Sequence, residues 1–333
     1  MADDVRQVSP ARGGTELILA NLKQALPELC DKVQIICSRP QQTPFEEKPR
    51  ILWLQDLPQD PASQCLSDAG YRTAFNKIVF VSHWQQQQYN MALRIPFHDG
   101  VVIKNAVPRL TPTFPKPRVG RSETDDGTLT NGKLRFLYTS TPHRGLAVLA
   151  AAADALAKER QDWELHVYSS LKTYGWDEQD KQFEPLYDLL RKNPCVTYHG
   201  SGTNEQVRQA CLDAHIWVYP SIYAETSCMA AQEAMMAGCL AITTNFGALP
   251  ETCGEWAWMF PIDEQAEVIC QRTHLTMRAA LERYDDENTQ MVLRAQSDYF
   301  QKFWAFEGRL NAWKGLLEQV IAEGIKKEML TIE

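Results

Sequence analysis

Short apolar runs recur along the chain, spaced so that a helix fits between most neighbours. Residues 33–37, 51–54, 78–81 and 101–103 form one series, and residues 134–138, 163–169, 195–198, 216–220, 241–245 and 256–260 form a second. Runs this short and this uniformly apolar predict strands buried on both faces, as in a parallel sheet covered by helices. The stretches between them carry helical periodicity. Ile18, Leu22, Ala25 and Leu26 share a face, and residues 226–237 have helix-forming composition up to Gly238, a natural stop. Residues 264–283 and 286–326 are also predicted helical, the latter with Phe303, Trp304, Phe306, Trp313 and Leu317 as an apolar stripe. Residues 108–133 contain four prolines, three glycines and alternating charges, which predicts a linker. The chain thus divides into a first α/β domain over 1–110, a linker over 111–133, a second α/β domain over 134–300 and C-terminal helices over 301–333.

Residues 216–253 read as strand, polar loop, helix, strand. Such a crossover is right-handed and leaves its loop, 221–226, at the carboxyl end of a strand, where open α/β sheets bind ligands. Thr226 or Ser227 is placed to cap the helix, whose free N–H groups and dipole would face an anion such as phosphate. Glu225 stands in that loop and Glu233 inside the helix, roughly 12 Å further along at 1.5 Å per residue. One elongated ligand can touch both. Near the N-terminus, Arg12-Gly13-Gly14-Thr15-Glu16 precedes another helix; paired glycines let backbone approach a ligand closely, although alone they describe no more than a turn.

Composition narrows the picture. With 333 residues, 44% hydrophobic and 23% charged, the chain has material for two cores. No apolar run nears the roughly 20 residues that span a bilayer, and the first ten residues are unlike a signal peptide, so a cytoplasmic protein is expected. Nine cysteines without a C-x-x-C pair suggest neither zinc site nor disulfide framework. Cys228 stands at a helix start, where a thiol can be activated, but packing is the simpler role. The net charge is +2 over 1–133 and −10 over 134–333, and no basic run announces nucleic acid or membrane.

Glu225-x7-Glu233, followed by Ala234-Met235-x-Ala237-Gly238 and Gly247-x-x-Pro250-Glu251, resembles the donor-site signature of the retaining glycosyltransferases of family 4. The resemblance implies the GT-B fold, in which two Rossmann-like parallel-sheet domains face a cleft and the last helix crosses back to the first domain. It implies that Glu225 and the N–H groups of Thr226, Ser227 and Cys228 hold the donor sugar and diphosphate, while Glu233 accepts hydrogen bonds from the ribose hydroxyls. Gly13, Gly14 and Glu16 match the Gly-Gly-x-Glu loop that closes over the diphosphate and approaches the acceptor. The apolar strand that usually precedes this loop is replaced by about ten largely polar residues, so that strand is expected to be short, irregular or missing. Gln55 stands where many relatives carry a His, and Asp56 beside it is placed either to cap its loop, the simpler role, or to position an acceptor hydroxyl. Ser82-His83-Trp84 resembles a structural turn of the family, with no catalytic role for His83. In Thr139-Ser140-Thr141-Pro142-His143-Arg144, Arg144 matches a phosphate-binding Lys and the companion Arg position is Thr139 or Ser140. Ser140 is thus a donor contact without charge. Tyr198-His199-Gly200 resembles the turn that contacts the nucleotide base.

The implied activity is transfer of a hexosyl or pentosyl group from a nucleoside diphosphate sugar to an acceptor hydroxyl, with Arg144 and helix N-termini stabilising the departing diphosphate. No cofactor beyond the donor is expected, and no metal, since the sequence has no Asp-x-Asp tract. The acceptor could be a glycan, lipid-linked sugar, protein or modified nucleobase. Two rival readings are a weak or inactive nucleotide-sugar binding module and a sugar-nucleotide epimerase. A nicotinamide dehydrogenase fails for want of Gly-x-Gly-x-x-Gly after a strand.

Overall fold

The structure, a computed structural model, describes residues 14–120 and 132–332, with side chains described as far as residue 324. Helix α1 (Gly14–Ala25) opens it, followed by strands β1 (Gln34–Cys37), β2 (Arg50–Trp53) and β3 (Lys77–Phe80), helix α2 (His83–Leu93) and strand β4 (Gly100–Val102). The second part runs β5 (Leu134–Thr139), α3 (Leu146–Glu159), β6 (Trp163–Tyr168), α4 (Glu184–Lys192), β7 (Val196–Gly200), α5 (Asn204–Asp213) and β8 (Ile216–Tyr219). It continues with α6 (Met229–Met236), β9 (Leu240–Thr244), the short α7 (Leu249–Cys253), β10 (Trp258–Phe260), α8 (Ala266–Arg283), α9 (Glu287–Phe303) and α10 (Glu307–Ile332).

The strands form two sheets, ordered β1-β2-β3-β4 and β10-β9-β8-β5-β6-β7, and every strand pairing is parallel. The apolar runs account for this. All four residues of β8 and all five of β9 are buried, as two helical layers require. The second sheet reverses its order between β5 and β8, so the loops after these two strands diverge to opposite faces and leave a crevice at their carboxyl ends. The strand expected ahead of α1 falls outside the described residues.

Two expectations about helices change. The helix of the 226–237 segment begins at Met229, with Cys228 at its N-cap in the left-handed region (φ 64°) and no side-chain cap. Thr226 Oγ1 instead donates to the Gln55 carbonyl at 2.8 Å, and Ser227 Oγ accepts from Gln232 Nε2 at 3.2 Å. The cap residues are thus occupied in holding the loop rather than the helix. The helix expected over 286–326 is broken at Trp304, because residues 304–306 bridge to Val107: Val107 N–H donates to Trp304 O and Phe306 N–H to Val107 O.

Beyond that break, Trp313, Leu316, Leu317 and Val320 of α10 pack into the first domain's core with Ile18, Leu22 and Trp53, and the Trp53 and Trp313 rings lie 4.4 Å apart. The last helix therefore crosses back. Phe303 departs from the expected stripe: it is 44% exposed, while Trp304 is buried. Within the second domain, Gln296 of α9 donates to the carbonyls of Met235 and Cys239, and Ser297 to that of Met236. These bonds satisfy the C-terminal end of α6, which closes through Gly238 at φ 72°.

Candidate active site

Arg144 lies in the turn after β5 and Glu225 in the loop after β8, the two strands flanking the sheet's reversal. Arg144 Nη1 donates to Glu225 Oε1 at 2.8 Å, and Tyr219 Oη donates to the same oxygen at 2.5 Å. The Arg144 guanidinium lies 4.4 Å from the centre of the Tyr223 ring, a cation–π distance. Two glycines fix this arrangement. At Gly145 (φ 125°) a Cβ would lie 2.2 Å from the Pro220 carbonyl oxygen, and at Gly247 (φ 66°) one would lie 2.5 Å from both N and O of Glu225. Glu225 is 4% exposed. Burial alone would depress the Arg144 pKa, but the Glu225 carboxylate and the neighbouring tyrosines hold it well above its ordinary value. Burial, then Glu225, pushes Tyr219 well up, so its phenol stays protonated and donates.

The N-terminus of α6 opens beside this pair, and that of α1 meets it from the first domain. A Cβ on Gly14 would lie 3.2 Å from the Met229 sulfur, so the two helix starts abut. Gly13 lies outside the described residues; Glu16 is exposed on the first turn of α1. Cys228 is buried and its thiol is raised well above the usual range by burial and then Glu225. It can offer a ligand its backbone, not a thiolate.

Glu233 sits one turn into α6, where Arg208 Nε of α5 donates to its Oε1 at 3.1 Å. His199 and Gly200 end β7. The His199 ring stacks on Tyr168 at 4.3 Å and hydrogen-bonds His166, with Nε2 and Nδ1 3.0 Å apart. Burial, then Arg135, lowers the His199 pKa, so the ring is neutral near pH 7. Thr139 Oγ1 accepts from Trp217 Nε1 at 3.2 Å, and Ser140 follows it at the end of β5; neither supplies a second cation beside Arg144.

From the first domain, Asp56 follows β2 and lies 3.4 Å from Arg39, which also pairs with Asp60 at 2.7 Å. Burial raises the Asp56 pKa, with Arg39 opposing. Gln55 accepts from Asn105 Nδ2 through Oε1, while its buried Nε2 has no partner among the described residues. Cross-domain bonds join the two halves: Ser82 Oγ donates to Thr226 O at 2.7 Å, and Glu251 accepts from His83 N, Trp84 N and Lys104 Nζ at 3.1, 3.0 and 2.9 Å. Burial works against the Glu251 charge, yet the Trp84 and His83 N–H groups and Lys104 bring its pKa down to about 2.

Sequence reasoning missed Tyr219, Tyr223, Arg208 and the bridging role of Glu251. Tyr219 and Tyr223 had a signal, as polar aromatics flanking the end of a strand at a candidate loop. Arg208 had none, because a charged helix residue reads as a solvated face.

The crevice, the reversal of strand order and the returning last helix make this a two-domain GT-B fold. Solved structures agree: the chain is similar to a sucrose-phosphate synthase from Thermosynechococcus elongatus (15% identity, TM-score 0.64, covering 93% of this chain and 79% of that one). A glycosyltransferase from Rickettsia africae gives 15% identity, TM-score 0.59 and coverage of 96% and 84%; HepE from Anabaena, in complex with UDP-glucose, gives 14%, 0.56, 84% and 72%. Residues 131–272 match the family described as glycosyl transferases group 1, a span that holds Arg144, His199, Glu225, Glu233 and Glu251. No curated protein sequence matches the chain. The family match and the fold together support a glycosyltransferase. Among the described residues no helix is long and apolar enough to cross a membrane.

Proposed function

We propose that the protein is a retaining glycosyltransferase of the family 4 kind, moving a hexose or pentose from a nucleoside diphosphate sugar to an acceptor hydroxyl without a metal ion. The observation that carries this reading is the pairing of Arg144 with the buried Glu225 carboxylate at the mouth of two abutting helix N-termini. The diphosphate would lie against the first turn of α6, through the N–H groups after Ser227, with Gly14 above it and Ser140 beside it. Arg144 would exchange its Glu225 partner for phosphate oxygens as leaving-group charge grows, a contact that strengthens toward the transition state. Glu225, still held by Tyr219, then faces the sugar. Glu233 would take the ribose hydroxyls, and the His199–Gly200 turn the base. Asp56 and Glu16 approach from the acceptor side, and the acceptor is a hydroxyl of a glycan, lipid-linked sugar, protein or modified nucleobase. That HepE was solved with UDP-glucose supports a nucleotide-sugar donor. A cytoplasmic setting belongs to the same proposal and is supported by nine cysteines, all free.

The experiment is incubation with a panel of nucleoside diphosphate sugars, following protection against heating, diphosphate release and the anomeric configuration of the product, with and without chelator. The reading expects one donor class to protect and react with retention, with turnover surviving chelation. An inverted product, or activity abolished by chelator and restored by manganese, would overturn the mechanism. A nucleotide-sugar binding module is the second reading, favoured by the absence of a second cation at Thr139 and Ser140. Protection without any release would select it.

A further inference from the structure

Strands β8, β5 and β6 are neighbours in the second sheet and run parallel, so the loops after them emerge side by side at one end. Each brings aromatic surface to the rim of the crevice. The loop after β6 carries Tyr174 and Trp176, 41% and 51% exposed, with ring centres 5.3 Å apart and planes tilted by 39°. The turn after β5 carries His143, whose ring meets that of Tyr223, in the loop after β8, edge-on at 5.9 Å. Tyr223 feels both ends of this row. Burial raises its pKa and Arg144 opposes, while Glu225, then Asp56 of the first domain and Tyr174 on its own side, add to the rise.

The loop that presents the two exposed rings is firmly tied. Ser170 Oγ and Leu171 N–H, at its start, donate to the buried Asp180 carboxylate at 2.9 and 2.7 Å, and Tyr187 Oη donates to the same group at 2.8 Å. The turn closes at Gly175 (φ 73°), whose N–H donates to Lys172 O at 2.9 Å. Thr173 Oγ1 lies 3.1 Å from Ser201 Oγ in the turn after β7. A loop held in this way cannot turn its rings into the core, so their apolar faces stay in water until a ligand covers them, and they are ordered before it arrives.

The chemistry of the surface selects the ligand. Two half-exposed rings make a shallow platform rather than a pocket. A pyranose matches it, because one face of the sugar ring is apolar C–H and its edge is hydroxyl, as a Tyr or Trp has an apolar body and a polar tip. Residues 177–180 behind the rings read Asp-Glu-Gln-Asp, in the acidic half of the chain, so an anionic lipid surface or a nucleic acid would be repelled. The row leads from Arg144 and the Asp56 side of the crevice outward to Tyr174 and Trp176. A chain of sugars whose end reaches the reacting position would pass over both.

We propose that Tyr174 and Trp176 form an acceptor subsite, stacking on a sugar unit next to the one that carries the reacting hydroxyl, so that the acceptor is an uncharged oligosaccharide. The inference rests on the glycosyl-transfer reading above. Neither ring touches the reacting atoms; they supply affinity and orientation to the acceptor.

The test is titration calorimetry and saturation-transfer NMR of the full chain, saturated with UDP or GDP in turn. The probes are glucose, mannose and N-acetylglucosamine beside maltotriose, mannotriose and chitotriose, with wild type, Trp176→Ala, Trp176→Phe and Tyr174→Ala compared and melting temperatures recorded. At least one trisaccharide is expected to bind wild type about tenfold or more tighter than its monosaccharide, with saturation reaching its C–H protons. Trp176→Ala and Tyr174→Ala should bring that ratio toward one with nucleoside diphosphate affinity unchanged, and Trp176→Phe should keep most of it. A wild type that binds no trisaccharide better than its monosaccharide overturns the proposal without any substitution. So does a folded Trp176→Ala that keeps the preference, or one that loses nucleoside diphosphate affinity instead; should it not fold, Tyr174→Ala decides in the same way. Equal sugar binding beside intact UDP or GDP binding would leave the transferase reading standing, whereas failure to bind any nucleoside diphosphate would remove both.

Discussion

The two strand-to-helix mouths that face the crevice are built differently. In the second domain Arg144, Glu225 and Tyr219 form a knot around a buried carboxylate, with Arg144 26% and Glu225 5% exposed at the side chain, fixed from below by two glycines that tolerate no side chain. In the first domain Arg39, Asp56 and Asp60 form a partly exposed cluster, with Arg39 41% and Asp56 34% exposed at the side chain. Buried charge is costly unless its geometry is held, so the knot specifies one arrangement; exposed ion pairs are worth little and can rearrange. The family match follows the same division, covering residues 131–272 and leaving the first mouth outside. On the proposed transferase reading, the donor end is the more rigid part and the acceptor end the more adaptable one.

Glu225→Gln breaks the rigid side and should have the largest effect. On the proposed mechanism it removes the charge facing the sugar, so transfer from the sugar nucleotide should fall about 10²-fold or more while affinity for the bare nucleoside diphosphate is spared. Steady-state rates and calorimetry on the same preparation check it.

Glu251→Gln probes the bond between the two mouths. The Glu251 pKa is lowered from 4.5 to about 2 in the fold, so its stabilisation is present above the unfolded value and is lost as pH falls through that interval. At neutral pH the variant should lose on the order of 3 kcal/mol in urea unfolding, with the gap to wild type closing as pH approaches 2. A gap that stays constant with pH would contradict the bridge.

Glu233→Ala should weaken nucleoside diphosphate binding by roughly 1.5 to 3 kcal/mol in calorimetry, the scale of hydrogen bonds to a charged acceptor. The smallest effect belongs to the exposed side. Asp56→Asn should leave donor affinity unchanged and slow transfer by about tenfold or less, since its ion pair is partly solvated. A larger loss would show that the acceptor mouth is as specified as the donor mouth.

The legible parts of the chain follow the same contrast. Parallel strands buried on both faces announce themselves as apolar runs, which is why 216–220 and 241–245 located β8 and β9. The positions of Glu225 in the loop and Glu233 inside the helix were readable because a βαβ unit fixes where its loop emerges. The true start of α6 was not, because Thr226 and Ser227 look like caps and yet bond to Gln55 and Gln232, partners remote or inside the helix that local propensity cannot weigh. The break at Trp304 was hidden for the same reason, since it depends on Val107, almost 200 residues away. Glu251 was visible as part of a motif, but its partners at His83, Trp84 and Lys104 lie across the crevice, and no pattern along one strand or helix points there.

The central claim is that Arg144 meets charge as it grows on a departing diphosphate. Its most direct test is turnover and donor affinity measured side by side for wild type and Arg144→Ala. The account predicts that turnover falls by about 10² to 10³ while donor affinity changes far less, because the contact strengthens only as the bond breaks. An Arg144→Ala protein that loses donor affinity but turns over bound donor at the wild-type rate would contradict it.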